Sequence, residues 1–135
     1  MEILVNLDVP DLAAAERCYA AAFGLRPGRR IGQAGVEMLG AAVPLWLLEK
    51  AEASRAAGDD VRRYRRHWTP VHIDVVVERL EPALARAEAA GLVREGTIRE
   101  GDWGRIVGLA DPFGHGWCLI QFLGRGYDEI ADAAG

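Results

Sequence analysis

Residues Ile3–Leu25 read ILVNLDVPDLAAAERCYAAAFGL, and residues Val71–Leu92 read VHIDVVVERLEPALARAEAAGL. One constant offset sets Leu4 on His72, Asn6 on Asp74, Val9 on Val77, Leu12 on Leu80 and Ala15 on Ala83. Gly24 and Gly91 close the two segments one residue out of step. Each segment is an alternating apolar strand, a short polar turn, an alanine-rich helix and a glycine stop. A repeat of this length means two copies of one supersecondary unit, so equivalent positions can be compared.

Working outward, Ile3, Val5, Leu7 and Val9 fall on one face of the first strand, and Leu4, Asn6 and Asp8 on the other. Pro10 ends that strand, and Asp11 can cap the helix that follows. Leu12, Ala15, Tyr19, Ala22 and Phe23 recur there at helical spacing. Three short strands are predicted over 26–31, 35–39 and 44–49, with glycine and proline at the breaks. In the second copy Val71, Ile73, Val75 and Val77 repeat the apolar face, a helix is predicted over 81–90, and strands follow over 92–98, 104–110 and 116–123. Asp111-Pro112-Phe113-Gly114 is a turn. The fold class is α+β: two βαβββ modules, at 1–50 and 70–124, forming a cupped mixed sheet with helices on the outer face. Residues 51–69 form a polar, partly helical linker. Residues 125–135 are a tail, with a short helix expected over 127–133.

The 135 residues suit one domain built of two halves, and a half-hydrophobic composition supplies a core. The net charge of −4 argues against a nucleic-acid partner. No secretory signal or membrane span is visible. Two cysteines, Cys18 and Cys118, are too few for a disulfide framework and point to a cytoplasmic protein. The arginines of 62–66 follow Asp59 and Asp60 and read as a solvated linker face.

Two βαβββ modules of this length resemble the vicinal oxygen chelate superfamily, which includes glyoxalase I, extradiol dioxygenases, fosfomycin-resistance proteins and bleomycin-binding proteins. The resemblance rests on NLDVPDLAAAERCYAAAFGL, PLWLLE, TPVHIDVVV and LADPFGHGWCLIQF, spread over nearly the whole chain. It implies four His or Glu metal ligands, one on the first and one on the last strand of each module. These positions fall on Leu4 and Trp46 in the first module and on His72 and Cys118 in the second. Leu4 and Trp46 cannot coordinate a metal. Two donors are too few to hold one tightly, and a thiolate suits a soft ion. The off-pattern residues Asp74, His115 and Glu49 are poor replacements, because His115 lies in a turn and Glu49 has the wrong strand parity. No cofactor is expected; the weaker alternative is a divalent metal at His72 and Cys118.

The expected function is binding of a small aromatic or amphipathic molecule in the cupped sheet. Leu4, Asn6, Trp46, His72, Trp103, Arg105 and Cys118 are the expected ligand-binding residues. Trp46 would act as a stacking wall, with a filled, degenerate cavity as the plain alternative. Trp68 and Trp117 are expected to be packing residues. The alternative function is a lyase, isomerase or dioxygenase with an altered site, in which His72 is the base and Asp74 its partner. Cys118 is read as an inert strand cysteine rather than a nucleophile. The resemblance implies a homodimer, and open sheet edges call for one.

Overall fold

A computed structural model describes residues 1–132. The first module runs β1 (Val5–Val9), α1 (Leu12–Phe23), β2 (Arg26–Ile31), β3 (Gly35–Leu39) and β4 (Leu45–Glu49). A small hairpin follows, β5 (Arg55–Ala57) and β6 (Asp60–Val61). The second module runs β7 (Ile73–Val76), α2 (Leu80–Ala89), β8 (Val93–Gly101), β9 (Gly104–Ala110) and β10 (Gly116–Phe122). Each module is a four-stranded mixed sheet, in the orders β1-β4-β3-β2 and β7-β10-β9-β8. The first and last strands of each module pair in parallel: Asn6 faces Trp46, and Asp74 faces Cys118. The paired βαβββ organisation expected from the repeat is present.

Alternation decides which face is buried. Val9, Val36, Met38, Leu45 and Leu47 from one sheet, and Val107, Leu109, Trp117 and Leu119 from the other, share one core with the two helices. Cys18, Tyr19, Ala83 and Ala87 belong to the same core, so α1 and α2 pack on each other as well as on their own sheets. The opposite strand faces carry Asn6, Trp46, Asp74 and Cys118, and His72 directly precedes β7.

Helix starts follow one rule in both modules. Asp11 accepts a hydrogen bond from Ala14 N at 3.0 Å, and Glu49 at the end of β4 accepts one from Leu12 N at 2.8 Å. The corresponding residue of β10, Gln121, accepts from Leu80 N at 2.8 Å. Orphan N–H groups at a helix start need such acceptors. Glu49 thus has the parity predicted for it, turned toward the helix. Gly24 stops α1 with φ 69°, a left-handed conformation that favours glycine.

Three expectations are corrected. The linker is a hairpin rather than partly helical, because Gly58, at φ 58°, sets a turn between β5 and β6. The tail holds a short 3₁₀ helix at Gly126–Glu129 in place of one over 127–133; residue 133 lies outside the described residues. Trp68 does not pack: it is 81% exposed, whereas Trp117 is buried as expected.

Candidate functional site

A cleft of about 750 Å³ opens between the two modules. Its floor and walls are the free edges of β1 (Val5 to Asp8) and β7, the linker between Asp60 and Thr69, and the segment Phe113–Trp117. Among the described residues no backbone ladder joins β1 to β7, so each module leaves this edge unpaired. The linker roofs the cleft and is tied down near its middle. Arg62 Nε donates to Asp8 Oδ2 at 2.8 Å, and Tyr64 OH donates to the carbonyl of Lys50 at 2.8 Å. Gly114 permits the close approach: a Cβ there would stand 2.7 Å from the carbonyl oxygen of Tyr64, and its φ is 94°.

Charges along the cleft are paired. Arg62 meets Asp8, Arg63 meets Asp60 at 2.6 Å, and His72 Nε2 lies 3.1 Å from Asp74 Oδ1. The best-built pair is His115 and Asp111, at 2.9 Å between Nδ1 and Oδ2. Asp111 is buried and accepts five hydrogen bonds. Oδ1 takes the backbone N–H groups of Phe113 and His115, at 2.8 and 2.9 Å. Oδ2 takes Tyr19 OH at 2.5 Å, Trp117 Nε1 at 2.9 Å and the His115 ring. Burial pushes this carboxyl up. The hydrogen bond and charge of His115, with Tyr19 and Trp117 added, more than offset that and hold it below the usual carboxylate range. Burial first, then the Asp111 charge, drives the Tyr19 phenol far above its ordinary value. One carboxylate therefore ties α1 of the first module to the β9–β10 turn of the second.

The residues expected at the site are spread over several places. Asn6, His72 and Asp74 line the cleft. Cys118 stands beside them: donor atoms of His72, Asp74 and Cys118 all lie within 4.8 Å of one another. Burial, then the charge and hydrogen bond of Asp74, raise the Cys118 thiol, which keeps it protonated and a poor nucleophile. Leu4 precedes β1 and is 60% exposed. Trp46 lies within the first sheet, buried beneath Arg29, whose guanidinium carbon is 5.4 Å from the ring centroid. That guanidinium is itself held by Glu37 through two hydrogen bonds of 2.7 and 3.0 Å. Arg105, at the far end of β9, is engaged by Glu81 and Glu100, and Trp103 packs near Tyr127. Asp111, His115 and the linker residues of the cleft were not legible as a site. The available clue was Tyr19, a tyrosine at a core position whose hydroxyl had to find a partner.

The four-ligand metal site implied by the resemblance does not fit these residues. Leu4 offers only hydrocarbon. Trp46 offers an indole N–H, a donor with no lone pair to give, and that N–H is buried without an acceptor among the described residues. Among the described residues, no first-module His, Cys, Asp or Glu joins the His72, Asp74 and Cys118 cluster.

Comparison with solved structures finds the same fold. A glyoxalase-related enzyme from Fulvimarina pelagi superposes with TM-score 0.68 at 19% identity, covering 90% of this chain and 87% of that one. A lactoylglutathione lyase from Agrobacterium tumefaciens gives 0.63 at 22%, covering 90% and 92%. A fosfomycin resistance protein from Listeria monocytogenes gives 0.68 at 18%, covering 91% and 93%. Comparison with curated protein sequences returns no match. The profile of the Glyoxalase-like domain family matches residues 4–120. The chain therefore belongs to the glyoxalase-like domain family, within the vicinal oxygen chelate superfamily.

Proposed function

We propose that the protein binds a small aromatic or amphipathic organic molecule in the cleft between its modules, without a tightly held metal. The cleft itself carries this reading: about 750 Å³ walled by both modules is ligand-sized. Its apolar lining includes Val5, Leu7, Phe113 and Trp117, and its arginines are already matched by carboxylates. Such a surface favours a ligand that buries a flat or greasy body and offers few charges. Calorimetric titration with panels of planar aromatic and amphipathic compounds tests the proposal. Saturable one-to-one binding, weakened by narrowing the cleft with Leu7→Trp, supports it; no binding across the panels counts against it.

A second reading has its own observation, the convergence of His72, Asp74 and Cys118. In it the protein is an enzyme of the glyoxalase or dioxygenase kind, with His72 as base or retained ligand, Asp74 as its partner and Cys118 as a second donor. Screens with glutathione-linked and catechol substrates, followed by His72→Ala, decide it. A turnover lost with His72 supports this reading, and ligand binding that persists without any turnover removes it.

Two further proposals concern context. The free outer edges of β2 and β8, with Ile31 and Val93 more than half exposed on them, fit a homodimer joined through sheet edges. A monomer in light scattering at high concentration would contradict it. A cytoplasmic location agrees with two free cysteines. No described helix is long and apolar enough to cross a membrane.

A further inference from the structure

All three histidines of the chain line the cleft, and their surroundings differ. His67 turns Nδ1 to the carbonyl of Arg65 at 2.8 Å. His72 and Asp74 form a pair open to solvent, with side chains 60% and 33% exposed. His115 is 24% exposed, and its partner carboxylate is fully buried. We propose that His115 is the proton-accepting group of the cleft, taking a proton from a ligand with a weakly acidic hydroxyl such as a phenol, and that Asp111 is its positioning residue. The inference rests on the cleft being the ligand site, and it names the ligand chemistry.

The hydrogen-bond network dictates the tautomer. Asp111 Oδ2 is ionised and can only accept, and the Tyr19 hydroxyl proton is already given to it at 2.5 Å. The His115 nitrogen facing both groups, 2.9 Å from Oδ2 and 3.3 Å from the Tyr19 oxygen, must therefore carry a hydrogen. In the neutral ring that proton on Nδ1 leaves the lone pair on Nε2. Nδ1 is engaged with the buried hub, so the other side of the ring is the one left to the cleft. Tyr19 and Trp117 hold Asp111 from two further directions, their rings 5.3 Å apart, which fixes the carboxylate and hence the imidazole. In the proposed step the ligand O–H bond breaks, an N–H bond forms at Nε2, and the electron pair stays on the ligand oxygen. The imidazolium so formed is neutralised by Asp111.

His115→Asn separates this role from a structural one, because its side-chain amide can still donate to Asp111 while Nε2 disappears. Nitrogen-detected NMR at about pH 8, above the ordinary histidine value, should show one histidine bonded to hydrogen at Nδ1, its signal missing from His115→Asn. Finding His115 as the Nε2–H tautomer overturns the proposal, whatever the variant does. The second arm uses 4-nitrophenol, whose absorption distinguishes phenol from phenolate, beside 4-nitroanisole, which has no proton to lose. Bound nitrophenol should appear as phenolate below its own pKa in the wild type. The phenolate-to-phenol ratio of the bound compound should be about tenfold smaller in His115→Asn, with nitroanisole reporting any change in affinity that does not involve the proton. Phenolate formation that survives the substitution overturns the role of His115. Failure of both compounds to bind the wild type overturns the cleft reading, and this inference with it.

Discussion

Removing the Asp111 carboxylate should destabilise the protein more than any other single polar truncation. Asp111→Ala strands five donors. Tyr19 and Trp117 are 0% and 2% exposed, so neither can turn its hydroxyl or indole N–H to water. A buried donor left without an acceptor costs about 1–3 kcal/mol. Those two alone give roughly 2–6 kcal/mol, and the backbone N–H of buried Phe113 adds to that. Relief from burying a carboxylate offsets part, so a net loss of about 4 kcal/mol is expected, in the tail of single-substitution effects. Urea unfolding followed by fluorescence measures it, with Tyr19→Phe and the double variant completing a cycle. Asp111 and Tyr19 share one bond, so the two losses should fall short of additivity by about 1–3 kcal/mol. A loss under about 1 kcal/mol for Asp111→Ala, or full additivity in the cycle, would refute the hub as the tie between the modules.

Acid should act through the same residue. Its folded pKa is depressed, so its contribution is present above the unfolded carboxylate value of about 4 and lost as pH falls through the folded one. Asp111→Asn should flatten that part of the stability profile, as read by urea midpoints at stepped pH. Glu49→Ala and Gln121→Ala each remove the acceptor for a helix-start N–H and should each cost about 0.5–2 kcal/mol, by the same assay. Trp46→Phe deletes a buried donor that has no acceptor, so relief and lost packing should cancel to within about 1 kcal/mol in thermal melts.

The repeat made the modules legible because strand and helix periods are local properties. Odd-numbered β1 residues pack on α1 as alternation required, and Asp11 and Gly24 bound that helix as their chemistry required. The site was less legible because its partners are remote in sequence. Asp111 reads locally as a turn residue; that it meets Tyr19, 92 positions away, depends on how α1 lies against the other module. Trp46 has the parity of a cleft wall, yet Arg29 from β2, two strands away, covers it, and no pattern along β4 announces that. The linker misled because its alanines and arginines favour a helix, while Gly58-Asp59 favours a turn and the tie of Arg62 to Asp8 supports the hairpin.

Cobalt(II) titration of the purified protein, watched for thiolate-to-metal charge transfer and for thermal stabilisation, bears most directly on the proposal of a cleft that works without an ion. His72, Asp74 and Cys118 are the only described His, Cys, Asp and Glu donors gathered closely enough to hold one. The expected result is no charge-transfer band and no saturable shift, equally for wild type and Cys118→Ser. A one-to-one band and a stabilisation that both vanish with Cys118→Ser would contradict the account.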